Sequence, residues 1–310
     1  MTCNYLPNIG KGRTKVSSFF YVLTFSLLIV AFACIPAVAD PIVQITQCGT
    51  VISQPGHYIL ANDLNCGGPV APTSGPVNPA LVTPWQQMQN PFSGSGGQAP
   101  TPNPASAPFG ILITADHVDL ALDGHTISGN FNAFTVGIAV SFFASSGNSH
   151  VHITGPGTVT QWFVGVLLVG DSFSSVAEVT ADTNGAGFLD ISGSKNAFDG
   201  NTATNNAFFT MFAGGITLLG ATDDSVRNNT ISSNVFGIVV EGGTGNDVRF
   251  NTVTNNFGVG IGIAATDNSI FHNTAQNTVG GPDLSDLNAN CDSNTWKHNT
   301  FGTADQPCIQ

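Results

Sequence analysis

Residues 225–240 read SVRNNTISSNVFGIVV, and residues 247–263, which begin 22 positions later, read DVRFNTVTNNFGVGIGI. Taking Thr230 and Thr252 as equivalent markers, matching threonines recur along the chain at Thr126, Thr158, Thr180, Thr202, Thr230, Thr252, Thr274 and Thr300. Four of the seven intervals are 22 residues, and the other three are longer, at 26, 28 and 32. A fixed period of this length predicts a solenoid in which each coil stacks on the previous one.

Neighbouring positions repeat with the same period. The residue after the marker is always apolar, and an asparagine precedes the marker in the last five coils, at Asn201, Asn229, Asn251, Asn273 and Asn299. A second asparagine position lies four residues after the marker, and a glycine followed by an apolar residue comes next, as in Gly237-Ile238. Between these points the chain alternates apolar and polar residues, which favours short strands. We expect the asparagines to form hydrogen-bonded ladders at turns and the glycines to supply positive φ at corners.

These repeats resemble the parallel β-helix repeats of the pectate-lyase-like superfamily. ITQCGTVISQPGHYILANDLNC, HVDLALDGHTISG and DLNANCDSNTWKHNTFGTADQPC are similar to segments of its secreted bacterial members. The same repeats occur in the periplasmic copper-associated β-helix family. The resemblance implies an all-β fold, a right-handed parallel β-helix that is a single-stranded solenoid of about 22 residues per coil with disulfide-stapled end caps. It implies little about activity, because the superfamily includes lyases, hydrolases, epimerases and proteins of no known reaction.

The composition excludes several other classes of protein. Only 8% of the 310 residues are charged, and the formal net charge is −12. Binding to nucleic acid needs a basic face, and coiled coils need many surface charges, so neither class fits. Hydrophobic residues make up 42% of the chain, which is enough for a large core.

The first 39 residues have the layout of a secretory signal peptide, with Lys11, Arg13 and Lys15 before an apolar run and a small-residue cleavage site before Asp40. An uncleaved anchor is the alternative. We therefore expect a secreted, periplasmic or cell-surface protein with no membrane span after cleavage. The expected organisation is a signal peptide over 1–39, an N-terminal cap over 40–66, a Pro/Gly/Ser-rich excursion over 67–109, the parallel β-helix over 110–282, and the last coil with a C-terminal cap over 283–310.

Four cysteines remain after residue 39, and four cysteines allow three pairings. Each of two pairs lies close together near one end of the chain. We therefore favour Cys48 with Cys66 and Cys291 with Cys308, in a compartment that permits disulfides.

The register brings charged residues from different coils together. Asp199, Arg227 and Arg249 share a position three residues before the marker, and Glu178 lies two residues before its own marker. Some lyases of the superfamily use an Arg or Lys base beside carboxylate-bound calcium. Glu178, Asp199, Arg227 and Arg249 are therefore the candidate catalytic set, with calcium as the possible cofactor of a lyase. The alternative interpretation is a solvated ion ladder beside a turn.

Aromatic residues gather after the second asparagine position. The candidate glycan-binding strip consists of Phe131, Phe134, Trp162, Phe208, Phe209 and Phe212, since sugar rings stack on aromatic faces and solenoid sides suit polymers. The alternative is that these side chains fill the core or pack under the excursion.

Three functions follow from these observations. The first is a secreted module that binds polysaccharide or a cell-surface partner without evident catalysis. The second is a lyase or epimerase acting on uronate-type glycans. The third is a periplasmic copper-handling accessory protein. His272 and His298 share one position and His150 and His152 flank Val151, but no third metal ligand is evident beside either pair, so no metal site is predicted.

Overall fold

The computed structural model describes residues 41–67, 109–131, 135–142, 147–207 and 214–310. The predicted signal peptide, most of the predicted excursion and the side chains of Phe134, Phe208, Phe209 and Phe212 lie outside these residues. Within them, no helix is long and apolar enough to cross a membrane.

The described chain winds as a parallel β-helix, and each full coil contributes a strand to each of three faces. Faces 1 and 2 belong to one 17-stranded sheet and face 3 is a 9-stranded sheet. Face 1 contains β1 (Val43–Ile45), β3 (Gly56–Leu60), β6 (Val118–Ala121), the first half of β9 (Val151–Thr160), the first half of β11 (Ser175–Asp182), β13 (Ala197–Asp199), β16 (Ser225–Arg227), β19 (Asp247–Arg249), β22 (Ser269–Phe271) and β25 (Thr295–Lys297).

The other two faces follow the same stacking order. Face 2 contains β4 (Leu64–Asn65), β7 (Thr126–Ser128), the second halves of β9 and β11, β14 (Thr202–Thr204), β17 (Thr230–Ser232), β20 (Thr252–Thr254), β23 (Thr274–Gln276) and β26 (Thr300–Phe301). Face 3 contains β2 (Thr50–Ile52), β5 (Phe109–Ile113), β8 (Val136–Val140), β10 (Val164–Val169), β12 (Ala186–Ile191), β15 (Gly214–Leu219), β18 (Phe236–Glu241), β21 (Ile261–Ala264) and β24 (Leu284–Asp286). A short 3₁₀ helix (Ala289–Cys291) precedes β25.

The predicted register is confirmed by the strand pairing. Thr202 pairs with Thr230, Thr230 with Thr252, and Thr252 with Thr274, so the marker threonines form one continuous column. The longer intervals are accommodated outside the paired strands. Residues 50–65 pair with β5, β6 and β7, so the segment predicted as a cap also forms the first coil.

Alternate residues of each strand point into a narrow, dry interior. Val226, Val248 and Ile270 stack in one inward column and are fully buried. The corners are held by asparagine ladders: the Asn251 amide nitrogen donates to the Val226 carbonyl at 2.8 Å and to Asn273 Oδ1 at 3.0 Å. Each such asparagine side chain forms hydrogen bonds to buried backbone groups of the turn, which would otherwise have no partner.

Two details of the predicted turn chemistry are corrected. The left-handed residue is the one before each ladder asparagine, as with Asn228 (φ 57°), Phe250 (φ 56°) and His272 (φ 54°). The glycine before each inward apolar residue is required by space, not by φ. A Cβ on Gly237 would lie 2.2 Å from the Gly260 carbonyl oxygen, so only glycine permits this approach of successive coils.

Both predicted disulfides are present. Cys48 is bonded to Cys66 and Cys291 to Cys308, at the two ends of the helix. They fasten the terminal coils, where the ladder of stacked strands ends and backbone groups would otherwise lack partners.

Candidate functional site

The basic and imidazole side chains are concentrated on one side of the β-helix. Every Lys, Arg and His after residue 39 lies on a strand of face 1 or on a turn that borders it. This set consists of His57, His117, His125, His150, His152, Lys195, Arg227, Arg249, His272, Lys297 and His298. The segregation makes face 1 the chemically distinctive surface of the described chain.

The centre of face 1 is a ladder of paired charges. Asp199, Arg227 and Arg249 occupy the same position on β13, β16 and β19, as the sequence register predicts. The Arg227 Nε donates to Asp199 Oδ2 at 3.1 Å, and Asn228 donates to the other carboxylate oxygen at 2.8 Å. Arg249 pairs instead with Asp247 on its own strand.

Glu178 does not join this ladder. It lies at the left-handed corner after the face 1 half of β11, beside Gly200 of the next coil. The four candidate catalytic residues therefore do not converge on one point, and each arginine already has a carboxylate partner. The arrangement offers both hydrogen-bond donors and acceptors to a ligand lying along the face.

Two stacks of rings border face 1. At the corner between faces 1 and 2, Phe250 stacks on His272 with ring centroids 5.2 Å apart, and His272 stacks on His298 at 4.9 Å. These distances match the spacing of neighbouring strands, because each ring sits on the left-handed residue of successive coils. The rings cover one another's faces, so they present mainly their edges to solvent.

The second stack lies at the corner between faces 3 and 1, and sequence reasoning missed it. His117 stacks on His150 at 4.8 Å, His150 on Phe173 at 5.5 Å, and the Lys195 ammonium lies 5.1 Å from the centre of the Phe173 ring. The register alone could have found this column, since Phe173 and Lys195 are 22 residues apart.

A cleft opens beside this second stack at the first coils. It has a volume of about 290 Å³ and is lined by Pro55, Gly56, His57, His117 and Asp119. His57 Nδ1 lies 2.9 Å from Asp119 Oδ2, and on the following strands His152 Nδ1 lies 2.8 Å from Ser175 Oγ.

The histidines of face 1 do not form a preformed metal site. Among the residues that the structure describes, no three His, Cys, Asp or Glu side chains are grouped so that they could hold one ion. Neighbouring coils project their side chains in parallel, which gives pairs of imidazoles and carboxylates and no convergent set. The described residues therefore offer a copper or calcium ion pairs of such side chains, not a preformed set of three.

Of the predicted aromatic strip, the structure describes only Phe131 and Trp162, and Trp162 does not lie on the surface. Trp162 is 1% exposed, and its indole nitrogen donates to the Ile127 carbonyl at 3.1 Å. It therefore belongs to the core, where it closes the end of an asparagine ladder by donating its backbone N–H to Asn184. Phe131 lies at a left-handed turn and is half-buried.

Three carboxyl groups are buried inside the β-helix, which is unusual for aspartate. Asp171, Asp190 and Asp224 are fully buried in successive coils where face 3 meets the turn into face 1. Burial raises the pKa of Asp171 to about 7 and that of Asp224 to about 6. Burial, with repulsion from Asp224, also raises the pKa of Asp190 well above its usual range. Sequence reasoning missed this cluster, because Asp223-Asp224 has the pattern of an ordinary turn.

Comparison with known proteins gives one family. Residues 112–305 match the family described as "Periplasmic copper-binding protein (NosD)". No curated protein matches the chain.

Solved structures share the fold at low sequence identity. DFA-IIIase from Arthrobacter chlorophenolicus A6 in complex with GF2 is 14% identical with a TM-score of 0.53, over 80% of this chain and 68% of that chain. The Dettilon tailspike protein is 17% identical with a TM-score of 0.42, over 83% of this chain and 42% of the tailspike. A mutant of the periplasmic alginate epimerase AlgG is 13% identical with a TM-score of 0.41, over 84% of this chain and 68% of the epimerase. This chain thus spans less than half of the tailspike's length, and these likenesses concern the fold alone.

Proposed function

The chain belongs to the NosD family of periplasmic copper-binding proteins. From this family and the geometry of face 1 we propose that the protein is a non-catalytic β-helix module that binds a polysaccharide outside the cytoplasm. The periplasmic description of the family and the signal-peptide layout of residues 1–39 support this location.

The observation that carries the proposal is the segregation of the basic and imidazole side chains onto face 1, where Asp119, Asp199 and Asp247 pair with some of them. From β3 to β25 the face extends over nine coils, a length of roughly 40 Å at the usual strand spacing. A polysaccharide presents hydroxyl groups that both donate and accept, at regular intervals along an extended chain. Paired carboxylates and guanidinium groups can bind such hydroxyls without carrying a large net charge.

Binding ranks above catalysis because the candidate acids and bases are engaged with each other. A lyase or epimerase needs a base and an acid that face one sugar, whereas Arg227 is held by Asp199 and Arg249 by Asp247. A lyase or epimerase acting on uronate-type glycans is therefore the second candidate, and release of unsaturated sugars would support it.

Copper handling is a further candidate, favoured by the family description and by the four histidines at the first coils, His57, His117, His150 and His152. The pairwise geometry of these side chains supports transient contact with an ion more than permanent binding.

The test is a panel of neutral and uronate polysaccharides immobilised on a column, with the exported full chain applied with and without calcium. Retention should fall about a hundredfold in an Arg227→Ala, Arg249→Ala double variant, because each lost charged hydrogen bond contributes about 1.5 kcal/mol and every 1.4 kcal/mol is about a factor of ten in affinity. Thr230→Ala, which changes face 2 of the same coils, is the matched control and should leave retention unchanged.

Failure of the wild-type protein to bind any polysaccharide would overturn the proposal. Ultraviolet-absorbing product would replace it with the lyase, and copper that survives dialysis at a fixed stoichiometry would replace it with copper handling.

A further inference from the structure

Face 2 carries a regular array of hydroxyl groups. Its first outward column is the unbroken series of marker threonines, Thr126, Thr158, Thr180, Thr202, Thr230, Thr252, Thr274 and Thr300. The second outward column, two residues further along each strand, contains Asn65, Ser128, Thr160, Asp182, Thr204, Ser232, Thr254 and Gln276. The strands pair without a change of register within the face, so the two columns form a two-dimensional lattice.

The dimensions of this lattice follow from strand geometry. Neighbouring hydroxyls in one column are about 4.8 Å apart, the spacing of hydrogen-bonded strands, and the two columns are about 6.7 Å apart, twice the rise per residue. Oxygen–oxygen repeats within planes of hexagonal ice fall close to both spacings. A threonine also presents a methyl beside its hydroxyl, which restricts the positions that a neighbouring water molecule can take.

The hydroxyls are available to an external ligand. Among the described residues, the side chains of Thr202, Thr230 and Thr252 make no hydrogen bond within the chain, and Thr230 and Thr252 are exposed. Thr204 is an exception, because its hydroxyl donates to Asp182.

The face is also almost free of charge. No Lys, Arg or His lies on its strands, and Asp182 is its sole charged outward side chain among the described residues. An uncharged surface suits an uncharged ligand. Among the outward side chains of the described face 2 strands there is no aromatic ring, and the planar polar groups are limited to Asn65, Asp182 and Gln276. This argues against a sugar, since glycan sites commonly use both kinds of group.

We propose that face 2 is an ice-binding surface, whose threonine lattice holds water molecules in the arrangement of an ice plane. Binding is centred on β17 and β20, where both outward residues of each strand carry a hydroxyl. On one side the hydroxyl of Thr204 is engaged by Asp182, and on the other Gln276 interrupts the second column. The inference uses a different face from the polysaccharide proposal and does not depend on it.

The experiment measures how much of the exported full chain enters a slowly growing ice hemisphere, together with ice-crystal shape and the gap between melting and freezing. The wild-type protein should be enriched in the ice and should produce faceted crystals. A Thr230→Tyr, Thr252→Tyr double variant, which places two rings on adjacent positions of the lattice, should reduce the ice-bound fraction about tenfold.

Ser225→Tyr with Ser269→Tyr is the matched control, because both serines are outward first residues of face 1 strands. It should leave ice binding unchanged. If the tyrosines on face 2 prevent folding, Thr230→Ser with Thr252→Ser removes only the methyl groups and should still weaken ice binding. Exclusion of the wild type from ice, or equal losses from the face 1 and face 2 variants, would overturn the proposal. Retention on polysaccharide that is lost on changing face 2 but not face 1 would assign this face to a glycan instead.

Discussion

Replacing Asp224 with asparagine should stabilise the protein, although it removes a charge from a charged cluster. Asp224 occupies a rung of an asparagine ladder between Asn196 and Asn246. Its Oδ1 accepts the Asn196 backbone N–H at 2.8 Å, and its own N–H donates to Asn246 at 3.0 Å. An asparagine would keep both bonds, because its Oδ1 can take the same place.

The second carboxylate oxygen is where the two side chains differ. Asp224 Oδ2 is buried and has no hydrogen-bond partner apart from the neighbouring carboxyl of Asp190, which requires a shared proton. An asparagine amide would donate there to Asp190 without needing that proton, as the other ladder amides donate to their neighbours. The substitution therefore replaces a buried carboxyl group by the side-chain amide found at the other rungs of the ladder.

The size and sign of the effect follow from the raised pKa. Burial raises the pKa of Asp224 from 3.8 to about 6. Because the unfolded chain gives up this proton at lower pH, wild-type stability falls as pH rises from about 4 to about 6 and stays low above that. A rise of about two pH units corresponds to about 3 kcal/mol, so Asp224→Asn should gain about 3 kcal/mol at pH 8 and almost nothing at pH 4.

The measurement is urea unfolding of the disulfide-intact protein at several pH values between 4 and 8. Asp223→Asn is the matched control, because that neighbouring side chain is exposed. It should change the free energy of unfolding by less than about 0.5 kcal/mol at every pH. A gain from Asp224→Asn that is equal at pH 4 and pH 8 would show that ionisation is not the cause. Destabilisation at pH 8 would refute the argument altogether.

Two further predictions concern the ladders and the caps. Asn251→Ala should lower the free energy of unfolding by about 3 kcal/mol, because it leaves the Asn229 N–H and the Val226 carbonyl buried without partners. Thermal melting measures the loss, and only a small change in melting temperature would show that water replaces the amide. Cys291→Ser with Cys308→Ser opens a loop of 17 residues and should lower the free energy of unfolding by about 3 kcal/mol. Limited proteolysis should then begin at the C-terminal coil, and cleavage that begins elsewhere would contradict a role of the disulfide in capping.

The repeat predicted which residues of the candidate site share a column, but not which carboxylate each arginine pairs with. The period placed Asp199, Arg227 and Arg249 on one column, which the strands confirm. It did not show that Arg249 would turn to Asp247, since the direction of a long side chain depends on its neighbours on both sides. Nor did it show that Trp162 points inward, because that tryptophan stands where later coils carry a ladder asparagine.

The sequence by itself determined the fold, the register of the coils and the disulfides. The strands, turns and asparagine positions all recur with the same 22-residue period. Because each coil contacts only its neighbouring coils, this period is enough to specify the fold. Only the tertiary structure decided which residues meet around the circumference. The buried position of Asp190, between Leu168 and Leu218 in an inward column, was obscured by a 28-residue interval. The segregation of cations onto face 1, and the near absence of charge from the threonine columns of face 2, became visible once the corners fixed the direction in which each strand presents its side chains.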